Sequence, residues 1–293
     1  MTPPVRAVLR PLPLPAPDDH LRDGAARDVT ADLELVLRPR TDVLLPPDDP
    51  AERAFYRWVL GHHIAFAVWR LLGDLLERML RDGATEQDEA EAAAWYDRYS
   101  ALQVYAGSCT PQVYATVIRQ RMIDDHPAFS GVWARDYERV LGLLTRLDPP
   151  VDGVLKQALK RHRLVHMTLA KFLVPAGESL LKQAGRRPGE GATDVERNLL
   201  DTFFLVRRGP VSAGEFHAEV VHRLAAAQCD LAAVPLGSDE LVSVLALLPA
   251  DLPTTLRDIA SILPERLHLE EQDGPRQADR SHSPAGRLRR RAS

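Results

Sequence analysis

The sequence predicts a mostly α-helical protein, and three observations carry that expectation. Apolar residues recur at three-to-four spacing over long stretches. Clusters of Pro, Gly and Asp cut those stretches into helix-sized pieces. Strand-like alternation is missing outside the N-terminal residues. The chain is 293 residues long and 45% hydrophobic, ample for one core. The expected organisation is an irregular Pro-rich arm over 1–50, a single helical domain over 51–268 and a disordered polar, basic tail over 269–293. No internal repeat is found.

The arm carries Pro3, Pro4, Pro11, Pro13, Pro15, Pro17, Pro46 and Pro47. Each removes a backbone donor and fixes φ, which opposes regular structure. A short apolar piece, Leu33 to Leu37, is expected to dock or pair locally. Asp48-Asp49-Pro50 reads as an N-cap followed by a first-turn proline. A helix then runs from Phe55 to Leu80 along Phe55, Val59, His62, Phe66, Trp69, Leu72 and Leu76. A second stripe, Tyr56, Leu60, His63 and Ala67, is nearly as apolar, so this helix packs on more than one side. Gly83 is expected to end it.

Glu86 to Tyr105 predicts a helix with acidic residues at its start, which suits the helix dipole. It carries Trp95, Tyr96, Tyr99 and Tyr105. The loop Ala106 to Pro111 precedes a helix over Gln112–Asp124, His126 to Gly131 is a break, and Trp133–Leu147 is helical. A long helix over 154–182 follows, kinked at Pro175. Gly185 to Thr193 reads as an exposed mobile loop. Helices over Val195–Val206, Ala213–Ala226, Ser238–Leu247 and Leu252–Leu263 complete the domain.

Composition excludes several classes. A net charge of −4 opposes a general nucleic-acid surface. Two cysteines, Cys109 and Cys229, without CxxC imply a reduced, cytoplasmic protein with no disulfide framework. No apolar run long enough for a membrane span is apparent. Nucleotide loops and the GxSxG elbow are absent.

Histidines on two apolar helices are the main chemical signal, since imidazole is a common metal ligand and an acid–base group near neutrality. The face pattern favours His62, mid-stripe, over His63. His162 and His166 stand one turn apart, with Leu155, Leu159, Leu169 and Leu173 placing them on a buried stripe. An ordinary buried histidine, hydrogen-bonded to a carbonyl, competes with the functional reading of His62 and His63, and a solvated pair near Lys160-Arg161 competes with that of His162 and His166. Glu219 and His222 form an ExxH, half of a di-iron unit whose other half is missing. A surface pair is the reading there. Arg119, Arg121 and Arg135 could clamp a carboxylate, and Cys109 could line a pocket.

His63-Ile64-Ala65-Phe66-Ala67-Val68-Trp69 resembles the distal-histidine helix of the tryptophan 2,3-dioxygenase superfamily, which favours His63. Ser108-Cys109-Thr110-Pro111, then Val117 to Met122, His126 to Gly131 and Trp133 to Glu138 are similar to the haem-dependent L-tyrosine 3-hydroxylases within it. The resemblance spans Ala51 to about Leu224. It implies a helical-bundle protein holding haem b (iron protoporphyrin IX), with His166 on the iron and His162 as the alternative. It also implies oxygen transfer from hydrogen peroxide to the ring carbon ortho to the phenol, turning L-tyrosine into L-DOPA in natural-product biosynthesis. The glycine- and serine-rich substrate loop of the dioxygenases is absent, which opposes ring opening. In this reading His62 or His63 moves the peroxide proton. Phe66, Trp69 and Phe129 exclude water, and Ser108, Arg119, Arg121 and Arg135 bind substrate. A different aromatic amino acid, or a non-enzymatic helical binding protein, are the competing readings. A homodimer is expected.

Overall fold

The computed structural model describes residues 5–6, 8–175, 177–186, 190–237 and 239–269. The expected tail therefore lies outside the described residues apart from Leu269, and the 185–193 loop lies partly outside them. In order, the elements are β1 (Val5–Arg6), β2 (Leu12–Leu14), α1 (Thr30–Leu37), β3 (Leu44–Leu45), α2 (Pro50–Asp82) and α3 (Glu86–Ala106). Next come α4 (Pro111–Val113), a π-helical segment Tyr114–Arg119, α5 (Gln120–Asp125), a 3-10 turn Gly131–Trp133, α6 (Arg135–Leu147) and α7 (Val154–Leu173). The chain continues through α8 (Leu180–Gln183), α9 (Asp194–Phe203), β4 (Val206–Arg208), α10 (Ala213–Ala233), α11 (Asp239–Leu245) and α12 (Leu252–Arg266).

The central helix is α2. Asp49 caps it, its carboxylate accepting from the N–H groups of Ala51 and Glu52, with Pro50 in the first turn. Gly83, at φ 91°, stops it in a conformation that other residues adopt at a cost. Both apolar stripes are used: α3 and α6 pack on α2, and α10 covers a further side. Among the described residues α2 alone is long and apolar enough to cross a membrane, yet 89% of its most apolar window is buried inside the protein. α3 in turn packs against α7, so it stands between α2 and α7.

The α2–α3 crossing is close at Gly61. A Cβ there would stand 2.8 Å from Ala106 Cβ and 3.2 Å from its Cα. Ala106 has no flexible side chain to withdraw, so Gly61→Ala must push two core helices apart. Overpacking of this kind costs about 1–3 kcal/mol. Urea unfolding of the variant checks it, and an unchanged midpoint would show that the crossing relaxes freely.

The arm is part of the core and not an appendage. Leu12 and Leu14 are completely buried. β2 pairs in parallel with β4 in the register Leu12↔Val206 and Leu14↔Arg208, and β1 pairs in parallel with β3. Prolines leave carbonyls without ladder donors, and buried arginines supply the missing donors. Arg223 of α10 donates to the carbonyls of Arg10 and Pro11, Arg208 of β4 to that of Pro15, and Arg70 of α2 to that of Pro17.

Several boundaries differ from expectation. The apolar piece at 33–37 belongs to a helix, α1. The 154–182 helix is not one kinked rod: α7 ends at Leu173 and the short α8 follows a break. Pro175 cannot continue a helix, and the residue before a proline is pushed to extended backbone. The helix expected to run to Val206 ends at Phe203, because Val206–Arg208 is claimed by β2. α10 continues past Ala226 to Ala233.

Candidate functional site

A single network of touching rings runs through the middle of the protein. It contains 12 of the 17 Phe, Trp and Tyr residues, so aromatic side chains are concentrated here and not spread through the core. At one end, His62 is half-buried on α2 between two rings. Its centroid lies 4.5 Å from Trp58 and 4.3 Å from Phe204, the latter stacked at 21°. Phe204 touches Phe203 and Phe66, and Phe203 touches Phe129 and Phe55. The rings of this cluster, the His62 basin, thus come from α2, the 126–134 break and the end of α9, and they are packed in mutual contact.

Hydrogen bonds decide what each histidine can do. His62 Nδ1 donates to the Trp58 carbonyl at 2.6 Å, leaving Nε2 with its lone pair uncommitted. A ring tied back through one nitrogen is oriented for ligation or proton transfer at the other. His63 is different. Its Nδ1 accepts from Arg223 Nε at 3.1 Å, so Nε2 carries the proton and donates to the Phe204 carbonyl at 2.5 Å. Both nitrogens are spent, and His63 links α2, α10 and the end of α9. All five guanidinium hydrogens of Arg223 are likewise matched: to His63, twice to Glu219, and to Arg10 and Pro11.

On α7 the expected stripe is split. His162 is buried, with Tyr99 stacked on it at 4.5 Å and Tyr96 edge-on at 5.5 Å. The Ser100 hydroxyl donates to the Tyr96 carbonyl, so it accepts from His162 Nδ1 at 3.0 Å, and Nε2 of His162 is free. His166 is exposed, against expectation, because α3 covers the His162 side of the helix; its Nδ1 lies 3.4 Å from Gln103 Nε2. The two histidine helices do not face each other across one space. The rings of Phe66, Trp69 and Tyr99 lie between His62 and His162.

Burial holds these imidazoles neutral. The pKa falls from 6.5 to about 4 at His62 and to about 3 at His63 and His162, burial being the largest cause in each. A lowered folded-state pKa means that the unfolded chain binds more protons below the ordinary imidazole value. The stability from keeping the rings neutral is fully present above pH 6.5 and is lost as pH falls toward 4. Thermal unfolding followed between pH 7 and 4 should show a declining midpoint, and a flat profile would contradict the burial.

The arginine candidates also separate. Arg119 donates to Gln183 and to the Glu178 carbonyl. Arg135 pairs with Asp201 at 2.7 Å in a cluster shared with Arg208 and Asp136. Among the described residues Arg121 has no carboxylate partner, and its guanidinium sits 4.0 Å above the Phe55 ring at the edge of the basin. Ser108 accepts from Arg57 and donates to the Tyr105 carbonyl, which makes it a structural link. Burial pushes the Cys109 thiol up to about 12, so it stays protonated.

Sequence reasoning missed Trp58, Phe203 and Phe204. Trp58 is one turn before His62, so helical spacing could have found it; the two phenylalanines come from an element far along the chain. A cavity of about 850 Å³ between the arm, α2 and α12 is lined by His20, Arg22 and Trp95, and one of about 120 Å³ lies beside His63, Tyr56 and His222. Neither is bordered by His62 or His162.

Among the described residues no three His, Cys, Asp or Glu side chains come together to hold a metal. The ExxH is spent, Glu219 on Arg223 and His222 on Asp32. The donor chemistry suits a haem iron, which would be held by one neutral imidazole fixed by a hydrogen bond at its other nitrogen. His62 and His162 both meet that requirement.

No curated protein matches the chain. The family model described as SfmD 3-methyl-L-tyrosine peroxygenase matches residues 14–168, from β2 to near the end of α7, and so includes both histidine helices and all three arginine candidates. With more than half of its length matched, the chain belongs to the SfmD 3-methyl-L-tyrosine peroxygenase family.

Proposed function

We propose that this protein is a histidine-ligated haem hydroxylase that inserts oxygen from hydrogen peroxide into the ring of a tyrosine-type amino acid, at the carbon ortho to the phenol. The observation that carries this reading is His62: a neutral imidazole with Nδ1 tied to the Trp58 carbonyl, Nε2 free, and an aromatic basin around it. His62 would hold the iron of haem b, and His162 is the alternative ligand. When bound, the haem supplies peroxide activation.

The chain's own residues account for the rest. The phenylalanine walls accept a phenol ring by edge and offset stacking. Their closure keeps water from the reacting carbon. Arg121, at the rim and without a carboxylate partner among the described residues, binds the substrate carboxylate and so sets which ring carbon enters the basin. L-Tyrosine giving L-DOPA is the first substrate to test. 3-Methyl-L-tyrosine, named in the family description, adds one methyl group that apolar walls favour.

The test is an absorption spectrum after expression with a haem precursor, followed by peroxide with each substrate. A histidine-type Soret band with catechol formation supports the reading. A Soret band with another aromatic product moves the substrate, and a colourless, inactive protein rejects haem. Arg121→Ala is expected to raise KM about tenfold to a hundredfold, the loss of one charge-assisted hydrogen-bonding group, with kcat little changed. Steady-state kinetics check this, and an unchanged KM would remove Arg121 from the site.

A further inference from the structure

Beyond the basin, the ring network continues to a second end that the hydroxylation does not use. Phe66 lies 5.9 Å from Phe204 and 5.1 Å from Trp69. Trp69 is 5.1 Å from Tyr99 and 5.1 Å from Tyr137, and the two tyrosines are 6.0 Å apart. Tyr137 on α6 is half-buried, whereas the other five tyrosines are buried. The line of rings therefore joins the reactive basin to the most exposed of the tyrosines.

Ordinary core packing would explain the rings but not their polar atoms. Among the described residues, the Tyr96 hydroxyl is buried with no hydrogen-bond partner, and the buried Trp69 indole N–H has only the Tyr99 hydroxyl near it, without a well-formed bond. Phenylalanine and leucine would fill the same space without unmatched polar groups, so these positions carry a cost that packing alone does not reward. Indole and phenol differ from phenyl in one further respect: they give up an electron far more readily.

We propose that Trp69 and Tyr137 form an electron-transfer relay that carries oxidising equivalents from the His62 basin to the surface when no substrate is bound, the buried Tyr99 having no solvent to take its proton. The relay rests on the family's use of peroxide. Tyr137 loses one electron and its phenolic proton; the proton goes to solvent and the electron passes through Trp69 to peroxide in the basin. Two such electrons with two protons cleave the O–O bond and yield two waters. The tyrosyl radical left behind is reduced by a thiol or ascorbate-class reductant from solution. The buried basin is thereby spared oxidation of its own walls.

Ultraviolet photoionisation of the tryptophans, read by transient absorption, tests the relay without peroxide or cofactor. Trp58 lies 5.8 Å from Tyr114 and could feed it, so every protein carries Tyr114→Phe. The tryptophan radical should decay into a tyrosyl radical, and Tyr137→Phe should lose that product and prolong the tryptophan radical. Trp69→Phe should lose the tyrosyl product as well. An undiminished tyrosyl yield in either variant, with an unchanged circular dichroism spectrum, overturns the relay. Peroxide added to the holoenzyme without substrate separates this from the functional reading. A tyrosyl signal by electron paramagnetic resonance that Tyr137→Phe abolishes supports the relay at work. No signal from a holoenzyme that does hydroxylate substrate overturns the relay, whereas no signal together with no hydroxylation rejects the peroxide reading on which the relay rests.

Discussion

His62→Ala is expected to abolish the Soret band of the haem-loaded protein and to lower turnover by at least about a hundredfold, the range in which a positioned imidazole acts. The substitution removes the free imidazole nitrogen of the basin while sparing the Trp58 and Phe204 rings that frame it. Added imidazole should restore the band in part, because it refills the vacated ring position. Measuring spectrum and turnover together separates two roles. A retained Soret band with lost turnover would make His62 the group that moves the peroxide proton, and a band lost in His162→Ala would put the iron on α7. His63→Ala should behave differently: it breaks bonds to Arg223 and Phe204 and lowers stability.

The largest stability loss is expected from Asp230→Ala. Asp230 is completely buried on α10, and Arg57 of α2 donates to both of its oxygens. Tyr105 of α3 donates a third bond at 3.0 Å, and Arg57 also reaches Ser108 and the Val234 carbonyl. Removing the carboxylate strands a buried guanidinium and a buried phenol with no water to turn to. Breaking a buried pair from one side costs about 3–5 kcal/mol. Chemical denaturation checks this, and a loss below about 1 kcal/mol would mean that water enters and resolvates Arg57. Replacing Arg57 and Asp230 together by apolar residues should cost less than either single change, since no charge is then left unpaired.

Local physics was readable along the chain. The Asp49–Pro50 start and the Gly83 stop of α2 follow from capping and φ preferences that involve only neighbouring residues. The three-to-four pattern placed both histidine helices, because a helix must bury its apolar stripe somewhere. It could not rank His62 against His63. Both stripes of α2 are buried, and which ring keeps a free nitrogen depends on Arg223 and the Phe204 carbonyl, more than a hundred residues away. The same limit hid the fate of the arginines, since a free and a paired guanidinium look alike in sequence.

By itself, then, the sequence determined the helical class, the principal helices of the core and the histidine types available for chemistry, all consequences of short-range periodicity and capping. Only the tertiary structure decided that the proline arm is core, that α3 separates His62 from His162, and that of the three candidates Arg119 and Arg135 are paired while Arg121 has no carboxylate partner among the described residues. Those outcomes are set by long-range pairing, in which each hydrogen-bonding group goes to whichever partner the packed fold brings within reach.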